Sequence, residues 1–309
     1  MRVVFFGSSF FSSRILNSIY KEGVEFPLVV TKKPKEKGRG RRKQPTPVGI
    51  ISMKLSLPLI EIDNPNTAEV EDAIKKTGVD VLLLASYAAI LKNIILETVK
   101  YPLNIHPSLL PKYRGSAPIK RAIMNNETKT GITVFIMDEK IDTGGIILKK
   151  EVDIKENEVA SELEERLANV SAEIILPVLE KIEKGELLNL TKQEEDKVIY
   201  APKILKEELE IDWEESALKV AGKINGLSYN PGAITFFRGK RIKILRARSL
   251  LKSTKTHTPG EIIEVTDQII VSCGDKAIGL SEIQVPGKKI MDARSFINGY
   301  HIKVGEKLG

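Results

Sequence analysis

Short apolar runs and helix-like repeats alternate along the first 180 residues of the chain. Residues 3–6 (VVFF) form an apolar run closed by Gly7, which predicts a buried strand. Residues 8–20 follow with Ile15, Leu16 and Ile19 on one side of a helix. A second strand is expected over 26–31. The spacing then predicts a helix over 70–76, a strand over 79–85, a short helix over 89–97, a strand end over 103–106 and a helix over 118–125. Residues 131–137 and 145–151 read as strands about a polar turn. Such alternation predicts an α/β domain with a largely parallel sheet and covering helices. Over 158–183, apolar positions recur at Val159, Leu163, Leu167, Val170, Ile174 and Leu179, the mark of a long amphipathic helix that closes this domain near residue 184.

The pattern loosens over 185–207 into charged and polar residues around Tyr200-Ala201-Pro202-Lys203, and a connector is expected there. Beyond a small helix near 216–225, apolar patches at 233–237, 242–247, 260–265, 269–272 and 277–283 are separated by Gly, Pro and Asp turns. This spacing predicts a smaller β-rich domain, a barrel, over 208–309. Trp213 is expected as an aromatic lid on its core.

Charge adds a candidate partner. Residues 1–60 carry 12 Lys and Arg against 3 Glu and no Asp, an excess of 12 − 3 = +9 in a chain of net charge +7. Much of it lies in 32–45, which has two glycines, two prolines and almost no apolar residue. A mobile exposed loop is expected there, either a solubilising surface feature or one whose Arg39, Arg41, Arg42 and Lys43 meet a polyanion. No apolar run reaches the roughly 18–20 residues of a membrane span, and no separable export signal precedes residue 3, so the expectation is a cytoplasmic protein with no membrane partner. Cys273 is the one cysteine, and the three histidines at 106, 257 and 301 have no zinc spacing, so no metal is expected.

Chemistry concentrates in two strings. In Leu103-Asn104-Ile105-His106-Pro107-Ser108-Leu109-Leu110-Pro111, residues 104 and 106 share one face of an extended strand, while Leu103 and Ile105 face the core. Pro107 holds His106 extended. An amide and an imidazole then sit together at the carboxyl end of a strand, where open α/β sheets bind ligands. In Asp138-Glu139-Lys140-Ile141-Asp142-Thr143-Gly144-Gly145, the glycines permit a tight turn that can aim Asp142 inward. Arg114, beside Gly115, is a candidate for orienting an acidic or phosphate-bearing substrate.

These strings, together with the Phe6-Gly7 opening, Gly38-Arg39-Gly40, Ile211-Asp212-Trp213 and the β-rich tail, resemble the methionyl-tRNA formyltransferase family over most of the chain. The resemblance implies a Rossmann-like formyltransferase domain over 1–184, a connector over 185–207 and an OB-like, tRNA-binding domain over 208–309. It implies 10-formyltetrahydrofolate as formyl donor, methionylated initiator tRNA as acceptor, and a monomer. Asn104, His106 and Asp142 match the family's catalytic residues, and Tyr87, Ser108, Leu109, Leu110 and Pro111 are expected at the folate. Glycinamide ribonucleotide and an amino-sugar nucleotide are rival acceptors, and a noncatalytic RNA-binding protein is a rival class. The chain departs from the family at Phe10, where an aspartate is usual; at Ala88, where a glycine follows the tyrosine; and at Ser228-Tyr229-Asn230-Pro231, in place of Asn-Pro-Trp-Pro.

Overall fold

A computed structural model describes residues 1–37, 42–254 and 256–309. The chain forms two compact units, neither continuous in sequence. Unit 1 comprises Met1–Pro118, Thr130–Val152 and Glu164–Pro202, and unit 2 comprises Ile119–Lys129, Asp153–Leu163 and Lys203–Gly309.

In chain order the first elements are β1 (Arg2–Gly7), α1 (Phe10–Lys21), β2 (Glu25–Thr31), β3 (Lys35–Lys37), β4 (Arg42–Gln44), α2 (Pro47–Lys54), β5 (Leu59–Glu61) and α3 (Ala68–Thr77). They continue with β6 (Val81–Ala85), α4 (Asn93–Leu96), β7 (Tyr101–His106), α5 (Pro118–Met124), β8 (Lys129–Ile136), β9 (Ile146–Asp153) and α6 (Ala160–Glu183). Among the described residues, unit 1 is built on a seven-stranded sheet of order β5-β2-β1-β6-β7-β8-β9. The pairs from β5 through β7 are parallel, and β8 runs antiparallel to β7.

The strand order reverses between β1 and β6, so a crevice opens at their carboxyl ends, as in other doubly wound sheets. Strand β1 is apolar on both faces because both are covered. Val4 and Phe6 join Val70, Ile74, Leu82, Leu84 and Ile95 in one cluster, and Phe5 on the other face meets Phe26 edge to face at 5.9 Å. Helix α1 starts at Ser9, whose hydroxyl accepts from the Ser12 amide while the Ser12 hydroxyl accepts from the Ser9 amide. It buries Phe11, Ile15, Leu16 and Ile19, each such side chain contributing about 1.5–3 kcal/mol.

The described flanks of the basic stretch differ from the expected loop. They pair as an antiparallel hairpin, Lys35 opposite Gln44, Glu36 opposite Lys43 and Lys37 opposite Arg42. The Thr31 and Thr46 hydroxyls, 2.6 Å apart, tie its two ends together. Main-chain pairing between pinned ends gives strands that side-chain alternation did not announce. Arg39 and Arg41 lie outside the described residues, and Lys43 is exposed.

Unit 2 holds α7 (Ala217–Leu227), β10 (Ala233–Phe237), β11 (Lys240–Ser253), β12 (Ile262–Val265), β13 (Ile269–Ser272), β14 (Lys276–Gln284), β15 (Met291–Asp292) and α8 (Ala293–Tyr300). The antiparallel path β10-β11-β14-β13-β12 has two edges, and the last residues of the chain bridge both: Leu308 pairs with Phe237, and Lys307 with Glu261. The C-terminal residues thus lie beside both ends of the sheet path, and the unit is the smaller β-rich domain that was expected. Trp213 is buried and donates Nε1–H to the Thr235 hydroxyl at 3.1 Å, a core role as expected. Among the described residues no helix is long and apolar enough to cross a membrane.

Candidate active site

The carboxyl end of β7 brings the two strings together. Asn104 and His106 are buried at 8% and 5% exposure, and the pairing of Asn104 with Leu84 on β6 and of His106 with Thr133 on β8 fixes their register. The turn that follows is held by Thr133, whose hydroxyl donates to the Ser108 carbonyl at 2.7 Å and accepts from the Leu110 amide at 3.1 Å.

His106 has one committed nitrogen. Nε2 lies 2.9 Å from the Tyr113 carbonyl, and since a carbonyl only accepts, Nε2 carries the hydrogen. Nδ1 is the nitrogen left for chemistry, and it faces Asp142 Oδ2 at 3.6 Å, an electrostatic contact longer than a direct hydrogen bond. Asp142 Oδ1 lies 3.5 Å from Asn104 Nδ2, a long contact that leaves the amide's second N–H for a ligand. Asn104 Oδ1 is buried without a partner, so the cluster lacks one donor.

Asp142 points inward because its backbone is unusual. Its φ of 55° lies in the left-handed region, and its Oδ2 accepts the Gly115 amide hydrogen at 2.8 Å. Gly115 itself has φ +124°, and a Cβ there would lie 2.7 Å from the Ala201 carbonyl oxygen. Gly115→Ala is therefore expected to cost about 1–3 kcal/mol of stability and to displace the amide that anchors Asp142. Denaturant unfolding reads the first effect and hydrogen exchange at the residue-115 amide the second; a variant of wild-type stability and protection contradicts both.

A segment read from sequence as a connector completes the site. Thr191 pairs with Ile146 through two main-chain bonds of 2.8 Å, and Gln193 Nε2 donates to the carbonyls of Asp142 and Gly144, both at 2.9 Å. Arg114 is corrected here. Its guanidinium, 2% exposed, donates to Gln193 Oε1 at 3.1 and 2.9 Å and to the Glu195 carboxylate at 3.1 and 2.8 Å, and so is spent within unit 1 rather than on substrate. The hydrogen bond from Arg114 holds the Glu195 carboxyl below its usual range. Gln193 stands in a polar stretch with no periodicity, and no pattern in the sequence marks it.

The other expected residues are placed as follows. Ser108 is buried and donates to the Lys112 carbonyl at 2.6 Å; Leu110 clusters with Phe135 and Ile146; Pro111 is buried; and Leu109 packs beside Gly131. Tyr87 is buried with its ring on edge against Phe6, and its hydroxyl donates to the Ile62 carbonyl at 3.2 Å. Burial, then the charge of Asp63, pushes that phenol well above its ordinary range. Lys32 lies over the same ring at 4.7 Å, and burial lowers its ammonium, partly offset by Asp63. Among the described residues no group of three His, Cys, Asp or Glu can hold a metal.

With this geometry in place, the comparisons become specific. The formyl transferase family model matches residues 1–179, and the formyl transferase C-terminal domain model matches residues 203–301. A methionyl-tRNA formyltransferase of Thermotoga neapolitana is 38% identical over 310 residues, covering 100% of this chain and 98% of its own length. The chain belongs to the methionyl-tRNA formyltransferase family. The relative from Caldanaerobacter subterraneus subsp. tengcongensis is 36% identical, with 99% of each chain covered. Among solved structures, HypX from Aquifex aeolicus in complex with tetrahydrofolic acid matches with a TM-score of 0.69 at 18% identity. That match covers 99% of this chain and 48% of HypX, so the chain spans about half of HypX and shares its fold. Formyl transfer with a folate-type donor is the chemistry of this formyltransferase family.

The departures from the family pattern now have places. Phe10 is the first residue of α1, three residues beyond the carboxyl end of β1, and is 72% exposed. Ala88 is exposed beyond β6. In the 228–231 stretch the Tyr229 hydroxyl donates to Glu282 at 2.8 Å, which ties the segment to β14 within unit 2.

Proposed function

We propose that this chain transfers the formyl group of 10-formyltetrahydrofolate to the α-amino group of methionine on initiator tRNA, acting in the cytoplasm as a monomer. The observation that carries the reading is the convergence of Asn104 Nδ2, His106 Nδ1 and the Asp142 carboxylate at the end of β7, in a chain that matches methionyl-tRNA formyltransferases over its length. The donor supplies the formyl carbon, and Tyr87, Ser108, Leu109, Leu110 and Pro111 belong to the loops and turns expected beside it. The site's polar groups fit that partner. Asn104 has an N–H to give to a formyl oxygen, while its orphaned Oδ1 needs a donor, which an acceptor amine brings.

The acceptor nitrogen attacks as a neutral amine, because an ammonium has no lone pair. As the new C–N bond forms, negative charge develops on the formyl oxygen, and Asn104 Nδ2–H and a protonated His106 Nδ1 stabilise it. The attacking nitrogen must lose a proton, and the Asp142 carboxylate takes it up, to be delivered to the folate nitrogen as the old C–N bond breaks. The deciding assay offers 10-formyltetrahydrofolate with methionylated initiator tRNA, methionylated elongator tRNA, glycinamide ribonucleotide and an amino-sugar nucleotide in parallel. Preference for the initiator tRNA is expected; preference for either small acceptor overturns the reading.

Arg39, Arg41, Arg42 and Lys43 are assigned to the tRNA backbone, with the 208–309 domain as a second contact. Replacing Arg39, Arg41 and Arg42 with glutamine is expected to weaken tRNA binding and to reduce the salt slope by roughly one unit per lost phosphate contact. Binding of a folate analogue should persist. Affinity measured across a salt series, with far-UV spectra as a check on folding, decides it: an unchanged slope removes the hairpin from the tRNA interface.

A further inference from the structure

The anchors of His106 and Asp142 share one support. His106 is held by the Tyr113 carbonyl and Asp142 by the Gly115 amide, so both depend on the loop around Arg114. That loop is also bound on its main chain by the strap over 193–201, in which Arg114 N–H donates to the Ile199 carbonyl at 2.9 Å and Ala201 N–H donates to the Arg114 carbonyl at 2.7 Å. The same strap sends Gln193 to the opposite loop, where its Nε2 holds the carbonyls of Asp142 and Gly144. Gln193 Oε1 in turn accepts twice from buried Arg114.

We infer that Gln193, clamped by Arg114, is a positioning residue for formyl transfer: it joins the loop that anchors His106 to the loop that bears Asp142. The inference rests on the proposed function for its reaction. Its physical basis is the amide's two-sided chemistry. The oxygen takes hydrogens from a guanidinium, and the nitrogen gives hydrogens to two carbonyls, so no other side chain of this length and charge satisfies both loops. Asp142 benefits from this support because a left-handed φ of 55°, tolerated by aspartate, still leaves the direction of the loop to be fixed by its carbonyl partners. Glutamate at 193 keeps the partnership with Arg114 but has no hydrogen for the Asp142 and Gly144 carbonyls, so Gln193→Glu isolates the second half of the device.

Single-turnover transfer is measured for wild type, Gln193→Glu, Asp142→Asn and the double variant, together with acceptor KM and thermal unfolding. Gln193→Glu is expected to slow transfer by roughly 10- to 100-fold with little change in KM, the size of effect that a misplaced catalytic group produces. Because Gln193 acts through Asp142, adding Gln193→Glu to Asp142→Asn should cost little further rate. Hydrogen exchange at the Gly115 amide gives a readout without turnover: its protection should fall in Gln193→Glu while the β1 and β6 amides keep theirs. An unchanged rate, full additivity with Asp142→Asn, or unchanged Gly115 protection overturns the inference. Wild-type formylation of methionylated initiator tRNA is the control for the acceptor; if it is absent, the proposed acceptor falls and the exchange result decides the role of Gln193 by itself.

Discussion

His106→Ala is expected to slow single-turnover formyl transfer by about 10²–10³-fold, the range found when a positioned oxyanion donor is removed. The geometry supports an effect on chemistry above binding. His106 is buried at the end of β7, its Nε2–H is spent on Tyr113, and Nδ1 is the nitrogen that faces Asp142. A distant tRNA contact does not pass through this ring, so tRNA affinity should change far less than the rate. Some loss of stability is expected as well, because the Tyr113 carbonyl loses its donor, at about 1–3 kcal/mol. The rate is therefore compared at a temperature where unfolding curves show the variant fully folded. A folded His106→Ala protein with a near-wild-type rate would remove His106 from the chemistry.

Much of the scaffold was legible because burial writes itself into sequence. Residues 81–85 are apolar without interruption because β6 lies inside the sheet and is buried along its length. Helix α1 was legible from the spacing of Ile15, Leu16 and Ile19. The expected helix over 89–97 shrank to Asn93–Leu96 for a tertiary reason: the Asn66 side chain accepts from the Lys92 amide at 2.7 Å and donates to the Ile90 carbonyl at 3.0 Å, outcompeting helical bonds there. Helix α2 escaped notice because its apolar residues show no helical stripe, although Thr46 as a cap and Pro47 at the first position were readable signals. The hairpin of β3 and β4 has no apolar alternation at all.

At the candidate site, what lay within one string was readable and what depended on distant partners was not. Asn104 and His106 are two residues apart on a strand, so period alone puts them together. Asp142 was marked by the glycines that follow it. Arg114, 79 residues from Gln193, looked like a free cation because its partners are far along the chain. The same separation hid Gln193, whose role exists only once two loops are folded against it.

Asp142→Asn is expected to slow transfer by about 10²–10⁴-fold, the usual contribution of a positioned acid or base. The substitution is informative because it changes so little else. Asparagine tolerates the left-handed region, so the φ of 55° remains accessible, and its side-chain oxygen can still accept the Gly115 amide hydrogen. What is lost is the negative charge facing His106 Nδ1 and the capacity to take the proton that the attacking nitrogen sheds. Thermal unfolding and acceptor KM should therefore stay close to wild type while the single-turnover rate collapses. Asp142→Glu, which restores charge on a longer arm, should recover part of the rate if charge is the missing element, and none if the turn geometry is. A stable Asp142→Asn protein with a wild-type rate would leave Asp142 as a residue of the turn, and the proton would have to leave by another group.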